Sequence, residues 1–248
     1  MTDFHKIGEL LLKLSIEFSI KNNIPEIYLS HFTQETDYLV DLIEEYGFKK
    51  VAVMKHKWSE TPEDVYLKKL IIESEEVIAL KPTEISQIFY PSFYNGFGVK
   101  KHIIPIQPQY HERLFTDFPR RQSTLNEFSG NFIIEGNTIK KAYLSHSSSK
   151  KMEPGDIIIF YRSKDMKSVV SLGVIESVYY NVSDPNEITS TVGKRSVYSS
   201  SEINEIALQP TTIILFNHHF HFKKPITLKN LLKLDILNGS PQSIMEIS

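Results

Sequence analysis

Three histidines crowd one short stretch, His218-His219-Phe220-His221, and imidazoles at that density invite a metal reading. In an extended strand, alternation would put His219 and His221 on one face. No carboxylate lies nearby in sequence to complete a ligand set, so no metal site is expected and the run is read as an ordinary strand with partly exposed imidazoles. The chain contains no cysteine. That excludes disulfide staples, thiolate nucleophiles, zinc ribbons and iron-sulfur clusters. Neither a phosphate-cradling P-loop nor a nucleophile elbow is present, and no catalytic residue is assigned.

What the sequence does offer is cations interleaved with aromatics, the two side-chain classes that single-stranded nucleic acid requires for phosphates and bases. The cations are Lys100, Lys101, Arg120, Arg121, Lys140, Lys141, Lys150, Lys151, Lys164, Lys167, Lys194 and Arg195. Tyr110, Phe115, Tyr143, Tyr161 and Tyr198 lie among them. Arg162 and the pair Lys194-Arg195 adjoin strand ends where a cleft would open, Tyr161 could stack on a base, and Ser145 with His146 could hydrogen-bond a base edge. These residues, with Lys140 and Lys141, form the candidate nucleic-acid site.

The chain of 248 residues is 41% hydrophobic and 23% charged, which provides a core and suits two ordinary domains. The formal net charge is only -2, but residues 96–248 hold eighteen Lys/Arg against fourteen Asp/Glu, an excess of +4. The apolar stretch from Leu10 to Ile20 is interrupted by Lys13 and Glu17, so neither a signal peptide nor a membrane span is expected. A cytoplasmic location fits the missing cysteines.

Periodicity supplies the elements. A helix is expected over 8–21, with Leu10, Leu11, Leu14, Phe18 and Ile20 on its apolar face and Glu9, Lys13, Glu17 and Lys21 opposite. A strand over 26–32 follows, then a helix over 34–46 capped by Thr33 and stopped by Gly47, and strands over 50–54 and 64–68. Residues 71–98 change character and mark the boundary, with a short helix that Thr83 of Lys81-Pro82-Thr83 could start. Beyond it, strands at 102–106, 139–145, 156–161, 169–180 and 211–216 outnumber helices at 184–192, 199–208 and 227–234. Without regular alternation of strand and helix, a small mixed barrel with peripheral helices is expected.

The opening α-β-α-β-β order, with Ile7-Gly8-Glu9-Leu10-Leu11 and Tyr46-Gly47-Phe48, resembles the C-terminal half of a GNAT-type N-acetyltransferase. The resemblance implies a site for the acyl-CoA pyrophosphate on the backbone of Lys6, Ile7, Gly8 and Glu9, at a helix N-terminus. Asp3 and Lys6 stand where the family has Arg and Gly, and Ile43 replaces the tyrosine general acid. The family's earlier strands are absent, so acetyl-CoA would bind only if they were supplied.

The run Met152-Glu-Pro-Gly-Asp-Ile-Ile-Ile-Phe-Tyr-Arg162, followed by Ser171-Leu-Gly-Val-Ile-Glu176, resembles the PUA-like superfamily that includes ASCH, EVE and YTH domains. It implies a barrel in which Pro154-Gly155 turns, Asp156 caps and Gly173 permits a bend, and it implies RNA or DNA as partner. The expected organisation is α+β: a GNAT-like half-domain over 1–72, a linker over 73–98 and a PUA-like domain over 99–248. The expected function is nucleic-acid binding. The alternatives are an acetyltransferase fragment whose PUA-like domain presents substrate, and a non-enzymatic interaction module, with a homodimer or partner chain covering the open sheet edge.

Overall fold

The computed structural model describes residues 4–32, 37–55, 61–71, 79–119 and 138–247. The chain forms two compact units, Met1–Phe93 and Tyr94–Ser248. Thr33, Arg120 and Arg121 lie outside the described residues.

In the first unit, helix α1 (Phe4–Lys21) leads to β1 (Glu26–Phe32), α2 (Tyr38–Glu45), β2 (Lys49–Met54), β3 (Glu63–Lys69) and α3 (Pro82–Ile88). The strands form an antiparallel sheet in the order β1-β3-β2. Asp37 caps α2 by accepting from the Leu39 N–H at 2.8 Å, satisfying an amide that the helix start leaves unpaired. Gly47 ends it at φ +82°, and a Cβ there would lie 2.2 Å from the Ile88 carbonyl oxygen. Backbone conformation and close approach both demand glycine.

One expectation fails here. Helix α1 buries Glu9, Leu12, Lys13, Ile16 and Ser19, whereas Leu11, Leu14 and Phe18 are 50–62% exposed. Glu9 is drawn inward because its carboxylate accepts from the buried Tyr46 hydroxyl at 3.3 Å, a tertiary contact that outranks helical amphipathicity. The stretch expected to link the units carries the short helix that Thr83 could start. Within the expected 73–98, residues 82–88 form α3, and Tyr90 is buried with its ring edge-on to Tyr46.

Lys68 is the unusual element of this core. It is only 1% exposed, and its ammonium donates to the Tyr46 carbonyl at 2.7 Å and the Ile88 carbonyl at 2.9 Å. Both oxygens belong to helix C-termini, where carbonyls lack intrahelical partners and the helix dipole favours a cation. Burial lowers its pKa to about 8.

The second unit comprises β4 (Lys101–Ile106), α4 (Pro108–Leu114), β5 (Lys140–Ser145), β6 (Ile157–Arg162), β7 (Ser168–Val182), α5 (Pro185–Val192), α6 (Ser200–Ile206), β8 (Thr211–Thr227), α7 (Leu228–Lys233) and β9 (Met245–Ile247). They build a mixed sheet in the order β5-β8-β7-β6-β4-β9, in which only β4 and β6 run parallel. The sheet curls. Although three strands separate β5 from β4, the Tyr143 hydroxyl on β5 donates to the Pro105 carbonyl on β4 at 3.1 Å. Ile104, Ile106, Phe160, Val170, Ile175, Ile214 and Phe216 fill the interior. Among the described residues the strand pairings do not join end to end, so the expected barrel is there an incompletely closed one.

The turn reading holds at Pro154-Gly155-Asp156: Gly155 has φ +94°, and the Asp156 carboxylate accepts from the amides of Glu153 and Lys100, each at 3.0 Å. Gly173 serves a different purpose from a simple bend. A Cβ there would meet Phe216 at 2.7 Å and the Asn217 carbonyl at 2.8 Å, so glycine admits the close approach of β8. Helix α4 was not expected; Pro108 opens it with a preset φ. Strand β8 also continues past residue 216 to Thr227 and carries the histidine run within it.

Replacing Lys68 with alanine would strand two helix-terminal carbonyls and open a cavity. A loss of about 2–4 kcal/mol is expected, read as an earlier urea transition and faster amide exchange in β3.

Candidate functional site

Most residues nominated from sequence serve the fold. Lys141 is fully buried; its ammonium donates to the Leu114 carbonyl at 2.8 Å and lies over the Phe115 ring. It fastens the end of α4 and is not placed to meet a phosphate. Tyr161, also fully buried, packs with Ile103, Val169, Leu231 and Leu237, so its ring is core and offers no stacking face. Arg195 is paired with Glu176 at 2.7 Å. The His146 imidazole donates to the Ile206 carbonyl, and Ser145 accepts from the Ser147 amide. Lys194 is exposed and Lys140 half-buried, on separate elements. The set is spread over several elements, each side chain engaged in its own local contacts.

The residues implied for a phosphate site fall inside helix α1. Because α1 begins at Phe4, the amides of Gly8 and Glu9 fall within its hydrogen-bonded ladder and are not free to cradle an anion. Gly8 has a packing role, since a Cβ would come 3.1 Å from Leu42 of α2. Lys6 and Ile7 occupy the same helical turn.

Arg162 is drawn into a buried network. Its guanidinium donates to Asp165 at 2.6 Å and Glu112 at 2.7 Å, and its Nη1 donates to His111 Nδ1 at 3.2 Å. The last contact fixes the tautomer: Nδ1 is the acceptor and Nε2 carries the proton. Burial first, then the Arg162 charge and then His221, lowers the His111 pKa to about 3. Burial disfavours the Asp165 carboxylate, but its bond from Arg162 prevails and its pKa is lowered.

Beside this network the histidine run takes an arrangement that alternation does not give. The register between β7 and β8 shifts between Gly173↔His218 and Leu172↔Phe220, leaving His219 as the extra residue of a bulge. His218 and His221, rather than His219 and His221, therefore come together, with ring centroids 4.4 Å apart. Asp117, from the segment after α4, approaches His221 Nε2 at 3.1 Å. One ligand atom from each of Asp117, His218 and His221 lies within 4.8 Å of the others. The missing carboxylate is supplied from 104 positions away in sequence.

The exposed cations gather elsewhere. Lys167 in the β6–β7 turn, with Lys229 and Lys233 on α7, lines an open groove of about 680 Å³ whose other walls include Met166, Leu228 and Leu232. The Leu228 amide donates to the Lys167 carbonyl at 2.8 Å and ties the two segments together. Lys164, in the same turn, is exposed and bonds Gln107. Lys229 and Lys233 were missed in sequence, although their i,i+4 spacing after the Thr227 N-cap puts both on one helical face.

No family model matches the chain, and no curated protein matches it. Solved structures similar to it include an ASCH protein from Zymomonas mobilis, at 18% identity and a TM-score of 0.41, covering 59% of this chain and 86% of that one. A mutant form of that protein matches at 16% identity and a TM-score of 0.43, covering 59% and 87%. Human THYN1, in complex with 5-methylcytosine-containing DNA, matches at 11% identity and a TM-score of 0.30, covering 60% and 91%. ASCH is one of the groups within the PUA-like resemblance read from sequence; with scores this low the likeness carries no functional argument. Among the described residues, no helix is long and apolar enough to cross a membrane.

The His111 environment gives a signed pH dependence. Between pH 6.5 and about 3 the unfolded chain takes up a proton at this residue that the folded chain refuses, so stability falls as pH falls, by on the order of 4 kcal/mol across that window. Urea unfolding across this range should show a shallower acid slope for His111→Gln than for the natural chain; equal slopes would refute the assignment.

Proposed function

We propose that the second unit binds single-stranded nucleic acid, with phosphates against Lys167, Lys229 and Lys233 and riboses or bases over Met166, Leu228 and Leu232. The observation that carries this reading is the convergence of three lysines from two sequence-distant segments on one open, apolar-floored groove. Cations with no carboxylate among the groove's lining residues supply the charge that a phosphate backbone needs, and the exposed floor gives bases a surface to cover. The PUA-like resemblance of residues 99–248 is part of this proposal, and DNA or RNA binding follows from it as an expectation of the same kind. For the first unit we propose a scaffold resembling half of an acetyltransferase. Its α-β-α-β-β order favours that reading, and the place of Gly8 and Glu9 within the α1 hydrogen-bond ladder speaks against an acyl-CoA site there.

The test is fluorescence anisotropy with single-stranded RNA and DNA oligonucleotides at several salt concentrations. Release of three phosphate counterions gives a slope of log affinity against log salt of about -2. Reversing the charges with Lys167→Glu, Lys229→Glu and Lys233→Glu together should flatten it. Arg195→Ala removes a cation already held by Glu176 and should leave the slope unchanged. Absence of binding at low salt, or an unchanged slope in the triple variant, would refute the groove as the interface.

A second measurement concerns acyl-CoA. Calorimetric titration of acetyl-CoA into the chain should show no binding, and heat that disappears on Gly8→Trp would overturn the scaffold reading.

A further inference from the structure

We infer that Asp117, His218 and His221 form a binding site for a first-row divalent transition metal, zinc being the reference ion. The site is separate from the lysine groove and independent of nucleic-acid binding.

The ligand types come first. Two imidazoles and one carboxylate suit zinc and its first-row neighbours, whereas calcium and magnesium prefer oxygen-only shells. The spacing agrees. Ligand atoms about 2.0–2.1 Å from one metal lie about 2.9–3.4 Å from each other for octahedral or tetrahedral angles, and His221 Nε2 is 3.1 Å from Asp117 Oδ1. The third ligand, His218, has its ring 4.4 Å from that of His221 and all three donor groups fall within 4.8 Å.

The surroundings hold the ligands in place. His221 Nδ1 is 2.8 Å from the Ser171 hydroxyl. In the metal-free protein, Nε2–H donates to Asp117 and Nδ1 accepts from Ser171. When metal binds, Nε2 gives its lone pair to the ion, the proton sits on Nδ1, and Ser171 accepts from it. A hydroxyl can play either part, so Ser171 is a positioning residue that permits the tautomer exchange. Phe115 and Phe118 stand edge-on to the His221 ring at 5.4 and 5.2 Å and restrict its rotation.

The chain Ser171–His221–Asp117 also has the order of a nucleophile, base and orienting acid. Ser171, however, has no exposed surface, so its hydroxyl is closed to a substrate. The side chains of Asp117 and His221 retain 26% and 11% exposure, which leaves the ligand cluster an approach from solvent on that side. Two cations lie in the neighbourhood, and neither opposes a metal without compensation. Arg162 is bonded by Asp165 and Glu112, and Lys141 is held by the Leu114 carbonyl.

The test uses the full chain after dialysis against a chelator. Titration with Co²⁺ is followed by its d–d absorption, and titration with Zn²⁺ by calorimetry, with circular dichroism and thermal melting to show that each variant is folded. The natural chain should bind one equivalent at micromolar concentration. Asp117→Asn, which keeps the side-chain shape, and His221→Gln should each weaken binding by about 10-fold or more, and Ser171→Ala by about 10- to 100-fold. His219→Gln, at the bulge residue outside the cluster, should bind as the natural chain does. No bound metal in the natural chain, or equal affinity in folded Asp117→Asn and His221→Gln, would overturn the site. So would a loss confined to His219→Gln. Oligonucleotide affinity measured with and without Zn²⁺ separates this result from the groove: loss of either activity alone leaves the other standing.

Discussion

A buried lysine fastens a helix end to a sheet in each unit, and the arrangement around the interior cluster depends on the one in the second. Lys141 projects from β5 into the core, where its ammonium meets the last carbonyl of α4. A helix C-terminus concentrates partial negative charge and unpaired acceptors, so the ammonium is bonded at the position where its desolvation is best offset. The residues immediately after that carbonyl are Phe115, Thr116, Asp117 and Phe118. Fixing Leu114 therefore fixes where Phe115, Asp117 and Phe118 enter the curled sheet. Lys68 does the same for two helix ends in the first unit.

The second constraint is the bulge in β8. A regular strand would send His218 and His221 to opposite faces. One extra residue at His219 reverses the alternation beyond it and brings both imidazoles to the same side, against Asp117. Gly173 on the neighbouring strand is part of this device, because any side chain there would strike Phe216 and the Asn217 carbonyl. Bulge, glycine and anchored helix end together assemble groups far apart in sequence.

Charge is divided accordingly. Arginines with planar, bidentate donors are engaged by carboxylates: Arg162 with Asp165 and Glu112, Arg195 with Glu176, and Arg113 with Glu202 at 2.6 Å. Lysines on flexible stems are left to solvent around the groove below α7. Such a surface tracks a backbone of negative charge without fixing one geometry, whereas the arginines hold elements together.

The sequence by itself determined what depends on neighbours along the chain. The strands at 26–32 and 140–145, the Asp156 turn and the stop at Gly47 all follow from backbone preferences and local hydrogen bonds. Tertiary structure decided which polar groups go inside. Glu9, Lys68 and Lys141 are buried because distant partners, or a helix end, outweigh their tendency to face water. It decided that Tyr161 is core and that Arg162 answers to two carboxylates. It also decided the face of each histidine, since a single bulged residue changes the parity of everything after it, and parity in a strand is a property of pairing that one chain segment does not carry alone.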